Sequence, residues 1–205
     1  MISGVRRVSH ALLCTLTVIY AQAPATLALN KPVRASVGGW EPRVYQIELK
    51  AGQYLEAVVE EKGISIQVHL IDPAGKKVLE LIGSGNNAIH FIARDGGLHR
   101  LEIAAVEPFD RPFGDCQVTV VRLATPTRED RLRAEALQDY LKASGTGTVD
   151  AYVHAAGLFA AAGLPQEEVR ALASAAFTAA ELQDLKSEIA LREQILAKAA
   201  VKEPG

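Results

Sequence analysis

Ile64-Ser65-Ile66-Gln67-Val68-His69-Leu70-Ile71-Asp72-Pro73-Ala74-Gly75 decides the fold of the first half of this chain. Side chains on a strand alternate between its two faces. Ile64, Ile66, Val68 and Leu70 therefore share one face and Ser65, Gln67 and His69 the other, the pattern of a strand with one side on a core. Asp72-Pro73-Ala74-Gly75 then stops the strand, since proline presets φ and glycine accepts the positive φ of a tight turn. The same rhythm runs outward in both directions, with β-rich runs at 33–37, 44–49, 55–60, 77–82, 88–93, 98–104 and 117–123. Turn residues separate them, among them Ala51-Gly52, Lys62-Gly63 and Asp95-Gly96-Gly97. His99, Leu101 and Ile103 line one face of their run. Val118 and Val120 oppose Thr119 and Val121, which makes that run apolar on both sides and central. Short strands at this regular spacing predict two packed antiparallel sheets, an all-β sandwich of jelly-roll-like type with about eight strands over residues 26–124.

Past Leu123 the period changes. Thr125-Pro126-Thr127 supplies a capping hydroxyl, at Thr125, and a proline suited to a first helical turn. Helical spacing then predicts four helices, at 127–143, 149–162, 165–180 and 185–200. Ser144-Gly145-Thr146-Gly147 is expected to break the first, whose apolar face is Leu132, Ala136, Leu137 and Tyr140. Val149, Tyr152, Ala156 and Phe159 mark the second. Val169, Leu172, Ala173, Ala176 and Ala180 mark the third, and Ile189 and Leu196 the fourth. Residues 125–205 thus read as an all-α helical-hairpin segment.

The N-terminus differs from both halves. Arg6 and Arg7 precede the apolar run 11–20, and Ala21-Gln22-Ala23-Pro24-Ala25 follows with small residues before a cleavage point. This is the three-part pattern of a secretory signal peptide, assigned to residues 1–25. Its apolar run is about half the ~20 residues that a bilayer-spanning helix needs, so no stable membrane span is expected after cleavage. Export places the product in the periplasm or outside the cell. Cleavage also removes Cys14, so the single Cys116 has no internal partner and the fold must rest on its hydrophobic core. Cys116 itself is expected to be a buried small hydrophobe. A net charge of −2 gives no basic surface for nucleic acid.

Particular stretches resemble known families. Trp40–Leu55, Val68-His69-Leu70-Ile71-Asp72-Pro73-Ala74-Gly75-Lys76 and Gly97-Leu98-His99-Arg100-Leu101-Glu102-Ile103 are similar to strands and turns of the bacterial pre-peptidase C-terminal-like domain, with His99 where that family usually has Tyr. The resemblance covers roughly 27–123 and implies a secreted accessory module. Tyr152…Ala155-Ala156-Gly157-Leu158-Phe159…Gly163 and the stretch from Glu168 to Leu196 resemble degenerate tetratricopeptide repeats. Gln183-Asp184-Leu185 stands at the repeat's turn, and Glu188 where the repeat places a small residue. A sandwich followed by Ala124-Thr125-Pro126-x-x-x-Asp130-Arg131 and such repeats also looks like the N-terminal part of large bacterial proteins ending in a caspase-like CHAT domain. That resemblance implies an accessory front end of a protease or signalling system.

No set of residues composes an active site. His69, His90 and His99 lack the spacing of a zinc site, although strands could assemble them and a metal-dependent hydrolase stays a third reading. Asp72, Asp95, Asp110 and Asp115 are loop carboxylates that could meet calcium, or simply turn residues. Phosphate-loop and dinucleotide fingerprints are missing. No cofactor and no catalysis are therefore expected. The candidate binding residues are Phe109, Arg111 and Phe113, two aromatics and a cation in a proline-bounded loop, and Trp40 and Tyr45, aromatics that could form a small platform. The expected function is binding or scaffolding of an unknown protein partner, through the helices or the sandwich loops.

Overall fold

A computed structural model describes residues 24–38, 41–83, 86–106 and 113–200. The expected signal region up to residue 23, together with Trp40, Phe109, Asp110 and Arg111, lies outside the described residues.

Among the described residues nine strands form two sheets. They are β1 (Ala25–Thr26), β2 (Val33–Val37), β3 (Arg43–Leu49), β4 (Tyr54–Lys62), β5 (Ile66–Ile71), β6 (Lys77–Gly83), β7 (Asn86–Ile92), β8 (Gly97–Ala105) and β9 (Gly114–Ala124). One sheet has the order β1-β3-β8-β5-β6 and the other β2-β9-β4-β7. Apart from β1, the chain distributes its strands between the sheets in jelly-roll order. The eight expected runs correspond to β2–β9 within a few residues. β1 is an addition, two residues pairing parallel with β3 so that Ala25, the last residue of the expected leader, sits opposite Tyr45. Parallel pairing this short has no signature in a single sequence.

Alternation decides what is buried. Ile66, Val68 and Leu70 are fully enclosed, as are Leu101 and Ile103 on β8 and Val118 and Val120 on β9. β9 is indeed interior to its sheet, yet only one of its faces is covered, and Val121 stays exposed. Gly114 opens β9 because nothing larger fits: a Cβ there would lie 2.5 Å from Ile64 Cγ2 and 3.0 Å from the Lys62 carbonyl.

Among the described residues four helices follow: α1 (Arg128–Thr146), α2 (Val149–Ala161), α3 (Pro165–Glu181) and α4 (Leu185–Ala200). Thr127, not Thr125, caps α1. Its hydroxyl accepts from the Asp130 N–H while the Asp130 carboxylate reaches back to the Thr127 N–H, a reciprocal capping box. α1 also continues through Ser144-Gly145 instead of stopping there, and ends where Gly147 turns left-handed at φ 63°. Each helix packs on its neighbour in sequence, α1 on α2, α2 on α3 and α3 on α4. Alanines at the contacts let the axes approach: Ala136, Ala155, Ala156, Ala171, Ala175 and Ala176 are all buried. Tyr140 ties three helices together, with its ring 5.6 Å from Tyr152 and 6.0 Å from Phe159 and its hydroxyl 3.1 Å from Ser174 Oγ.

The apolar assignment of α4 needs correction. Leu191 is buried and Ile195 packs on the core, whereas Ile189 and Leu196 are 57 % and 68 % exposed. Ala173 of α3 is likewise exposed. α4 is apolar on two sides, so periodicity alone could not say which side faces inward.

Candidate functional site

The helical layer docks on the sandwich where both sheets end. β6 is the terminal strand of one sheet and β7 of the other, and α1 packs against both, mostly β7. The junction is pinned by a polar cluster. Asp130 is 1 % exposed and its carboxylate accepts from Arg122 Nη1 (2.7 Å), from the Thr127 N–H (2.8 Å) and from the Thr127 hydroxyl (2.9 Å). Burial alone would raise its pKa, but these donors outweigh burial and hold the carboxyl below the usual range. Arg122, reaching from β9, also places its guanidinium carbon 5.6 Å from the centre of the Tyr54 ring. Tyr54 is fully buried, its hydroxyl 2.8 Å from His90 Nδ1 and the two rings nearly parallel. Burial lowers the His90 pKa to about 4, and the Arg133 guanidinium adds to that while Asp130 opposes it. His90 is therefore a neutral imidazole at neutral pH. Arg133 itself pairs with Glu129 at 2.5 Å.

Beside this clasp runs a cleft of about 870 Å³. One wall is β6 along its whole length together with Asn87, Ala88 and His90 of β7. The other is α1, with Leu137, Gln138, Tyr140, Leu141 and Lys142, backed by Phe159 of α2 and by Glu167 and Arg170 of α3. Two of its cations are paired: Lys77 with Glu80, which also accepts from Gln67 and His69, and Lys142 with Asp139 outside the cleft. The Lys77 ammonium chiefly holds the Glu80 carboxyl below its ordinary pKa. Asn87 differs from its surroundings. It is 3 % exposed, lines the cleft, and its Nδ2 has no hydrogen-bond partner among the described residues. A buried amide with unused donors is costly unless something polar comes to meet it.

The sequence-derived candidates fare differently. Tyr45 is 3 % exposed in the sandwich core and cannot serve as a platform; β3 alternation turns it inward. Burial pushes its pKa up to about 12, and its hydroxyl faces the Cys116 thiol without a hydrogen bond of good geometry. Phe113 is 70 % exposed just before β9, so it is free to make contact, while its companions Phe109 and Arg111, and Trp40, fall outside the described residues. The histidines do not converge: His69 meets Glu80 at 3.2 Å, His90 meets Tyr54, and His99 Nδ1 donates to the Gly97 carbonyl at 3.0 Å. Among the described residues no group of three or more His, Cys, Asp and Glu side chains could hold a metal. Cys116 is free and buried, and its burial raises the thiol pKa. No described helix is long and apolar enough to cross a membrane. The cleft itself went unseen in sequence because its two walls lie about fifty residues apart and meet only through docking. One local sign was readable, the capping box Thr127-x-x-Asp130.

No protein-family model matches the chain, and no curated protein matches it in sequence. Among solved structures the sandwich half resembles the pre-peptidase C-terminal domain of the Bacillus anthracis collagenase, at 18 % identity and TM-score 0.40 over 47 % of this chain and 93 % of that one. It also resembles the Aeromonas hydrophila periplasmic inhibitor of g-type lysozyme, PliG, at 15 % identity and TM-score 0.36 over 47 % and 96 %. The surface-associated copper-binding protein CorA of Methylomicrobium album BG8 matches at 10 % identity and TM-score 0.37 over 51 % and 98 %. Each is a likeness of the β-sandwich part alone.

Proposed function

We propose that this chain is an exported, non-catalytic binding protein that holds an extended segment of a partner protein in the cleft between sandwich and helices. The observation that carries this reading is the meeting of a terminal strand, β6, with an apolar-floored cleft that also holds the Asn87 Nδ2, which has no partner among the described residues. A terminal strand has backbone donors and acceptors that no neighbouring strand uses, and an extended peptide adds to it by main-chain hydrogen bonds. The seven residues of β6 span about 23 Å at the usual rise per residue, enough for a short strand of partner chain. Leu137, Leu141 and Phe159 would receive its apolar side chains, and Asn87 Nδ2 a carbonyl or hydroxyl. The helices, which we take to be two degenerate tetratricopeptide-like hairpins, supply the second wall. Export rests on the signal-like N-terminus.

Selection of a displayed random-peptide library on the purified chain tests this. Enriched peptides should bind in extended form and should lose about tenfold or more in affinity to Gln138→Trp, which fills the cleft from an exposed position on α1. Leu141→Glu should weaken them similarly. Peptides that bind both variants as well as the parent would place recognition elsewhere and remove the cleft from the account.

A further inference from the structure

Leu185, Ile189 and Leu196 of α4 are 65 %, 57 % and 68 % exposed, and they fall within one narrow stripe at 100° per residue. Leu182 in the α3–α4 turn and Phe177 near the end of α3 are exposed as well. Scattered single leucines on a surface need no explanation, but a stripe on the outer side of a helix whose inner side is already packed does. We infer that this stripe is a self-association surface, on which α4 of a second copy of the chain packs antiparallel to form a two-fold dimer.

Charge order on α4 favours a second copy of this helix as the occupant. In a two-fold antiparallel pair, residues at equal distances on either side of the dyad face each other, and each flank meets the same flank of the partner copy. With the dyad near residue 190, Leu185 lies across from Leu196 of the second copy and the two Ile189 side chains meet close to the axis. On one flank Lys186 then lies across from Glu193. On the other, Glu188 lies across from Arg192. These are opposite charges at every facing position. A parallel pair would instead turn opposite flanks toward each other, setting Lys186 beside Glu188 and Glu193 beside Arg192 of the second copy, so the flanks attract in either direction and the charge reversals below decide between them. Within one copy Glu188 and Arg192 already pair at 2.8 Å, so the dimer would join two such pairs into a ring of four charges. Lys186 and Glu193 sit seven residues apart, about 10 Å along the helix, too far to pair with each other. The surface is small beside a typical stable interface, so the dimer should be weak and concentration-dependent. It lies on α4, which does not line the cleft, so its failure would leave the proposed peptide site untouched.

Sedimentation equilibrium of the purified chain over a wide concentration range decides this, with circular dichroism to show that each variant is folded. The parent chain should pass from monomer to dimer, and Ile189→Glu, an exchange at an exposed position, should raise the dimer dissociation constant by about tenfold or more. Lys186→Glu and Glu193→Lys should each weaken the dimer, and the two together should restore it, because the reversed charges again face opposite signs. A chain that stays monomeric throughout would assign the stripe to a helix of another protein and overturn the proposal. So would a dimer indifferent to Ile189→Glu, or a double variant no tighter than either single one.

Discussion

Tyr54, His90 and Arg133 bring a phenol, an imidazole and a guanidinium into a space between sheet and helix that water hardly enters, and the imidazole responds by staying neutral. His90 has its pKa lowered to about 4 from an ordinary 6.5. Between those values the unfolded chain binds a proton that the folded chain refuses, so stability rises with pH across the window and falls on acidification. Below about pH 4 both states are protonated and the full cost is present, about 3 kcal/mol for a shift of this size. The groups facing His90 are Tyr54 of β4 and Asp130 and Arg133 of α1. Asp130 acts in the same acid direction but lower: its depressed carboxyl stabilises the fold above the unfolded value of about 3.9, and that contribution is lost as pH falls through the folded pKa. His90→Leu should therefore flatten the decline of melting temperature between pH 6.5 and 4 while leaving the steeper loss below it. A parent and variant whose melting temperatures fall in parallel over that window would refute the assignment of the slope to this imidazole.

At the scale of elements, β9 begins where backbone and side chain leave no spare room. An alanine methyl at Gly114 would meet Ile64 at 2.5–2.6 Å, and Ile64 is itself 8 % exposed on the core and cannot swing clear. Gly114→Ala should cost about 1–3 kcal/mol, the range for forcing a methyl into a packed interior, and urea denaturation would show it as a lowered midpoint at unchanged slope. An unaltered midpoint would mean that the β4–β5 connection gives way without cost. Elements were also what the sequence displayed best. β2–β9 were legible because glycine and proline punctuate an alternating pattern, and the helices because Gly147, Pro165 and the alanine-rich faces mark their ends and sides. Three local details were not. β1 is too short to carry a pattern. Gly145 looked like a helix stop, yet a glycine inside a helix costs only about 1 kcal/mol and the left-handed Gly147 is the actual end. α4 offers two apolar sides, and only packing on α3 chooses Leu191 over Ile189. The candidate site was illegible for a different reason: Asn87, His90 and Leu137 come together through docking of distant elements, which no local period encodes. Tyr45 misled because an inward aromatic and a surface aromatic look alike until the strand register is known.

The whole molecule divides in sequence but not in packing. Leu137, Ala156, Phe159, Ala171 and Leu191 belong to the same continuous cluster of buried apolar residues as Val68, Leu81 and Ile103. The clasp of Arg122, Asp130 and Tyr54 joins β9, α1 and β4 across the same boundary. A shared core and an ion pair whose carboxylate is buried both argue that α1 cannot leave the sandwich without global unfolding. The outer helices are bound differently: among the described elements α4 packs chiefly on α3, with a small buried side on Leu191. Stacked helices held by nearest neighbours open from their ends. Hydrogen exchange should therefore give the slowest amides of β5, β8 and α1 one common opening free energy, equal to that from denaturant unfolding, with α4 exchanging well below it. Asp130→Ala tests the coupling directly. It removes the carboxylate that Arg122 and Thr127 share, and should lower global stability by about 3 kcal/mol, the low end for breaking a buried pair because the Arg122 side chain is 38 % exposed and water can take its place. The decisive reading is how that loss is distributed. If β5 and α1 protection fall together by the same amount, the sandwich and its first helix are one cooperative unit, and the cleft between them has walls as rigid as the core. If α1 loses protection while β5 keeps it, the helices are a separable layer and the cleft can open without unfolding the sandwich.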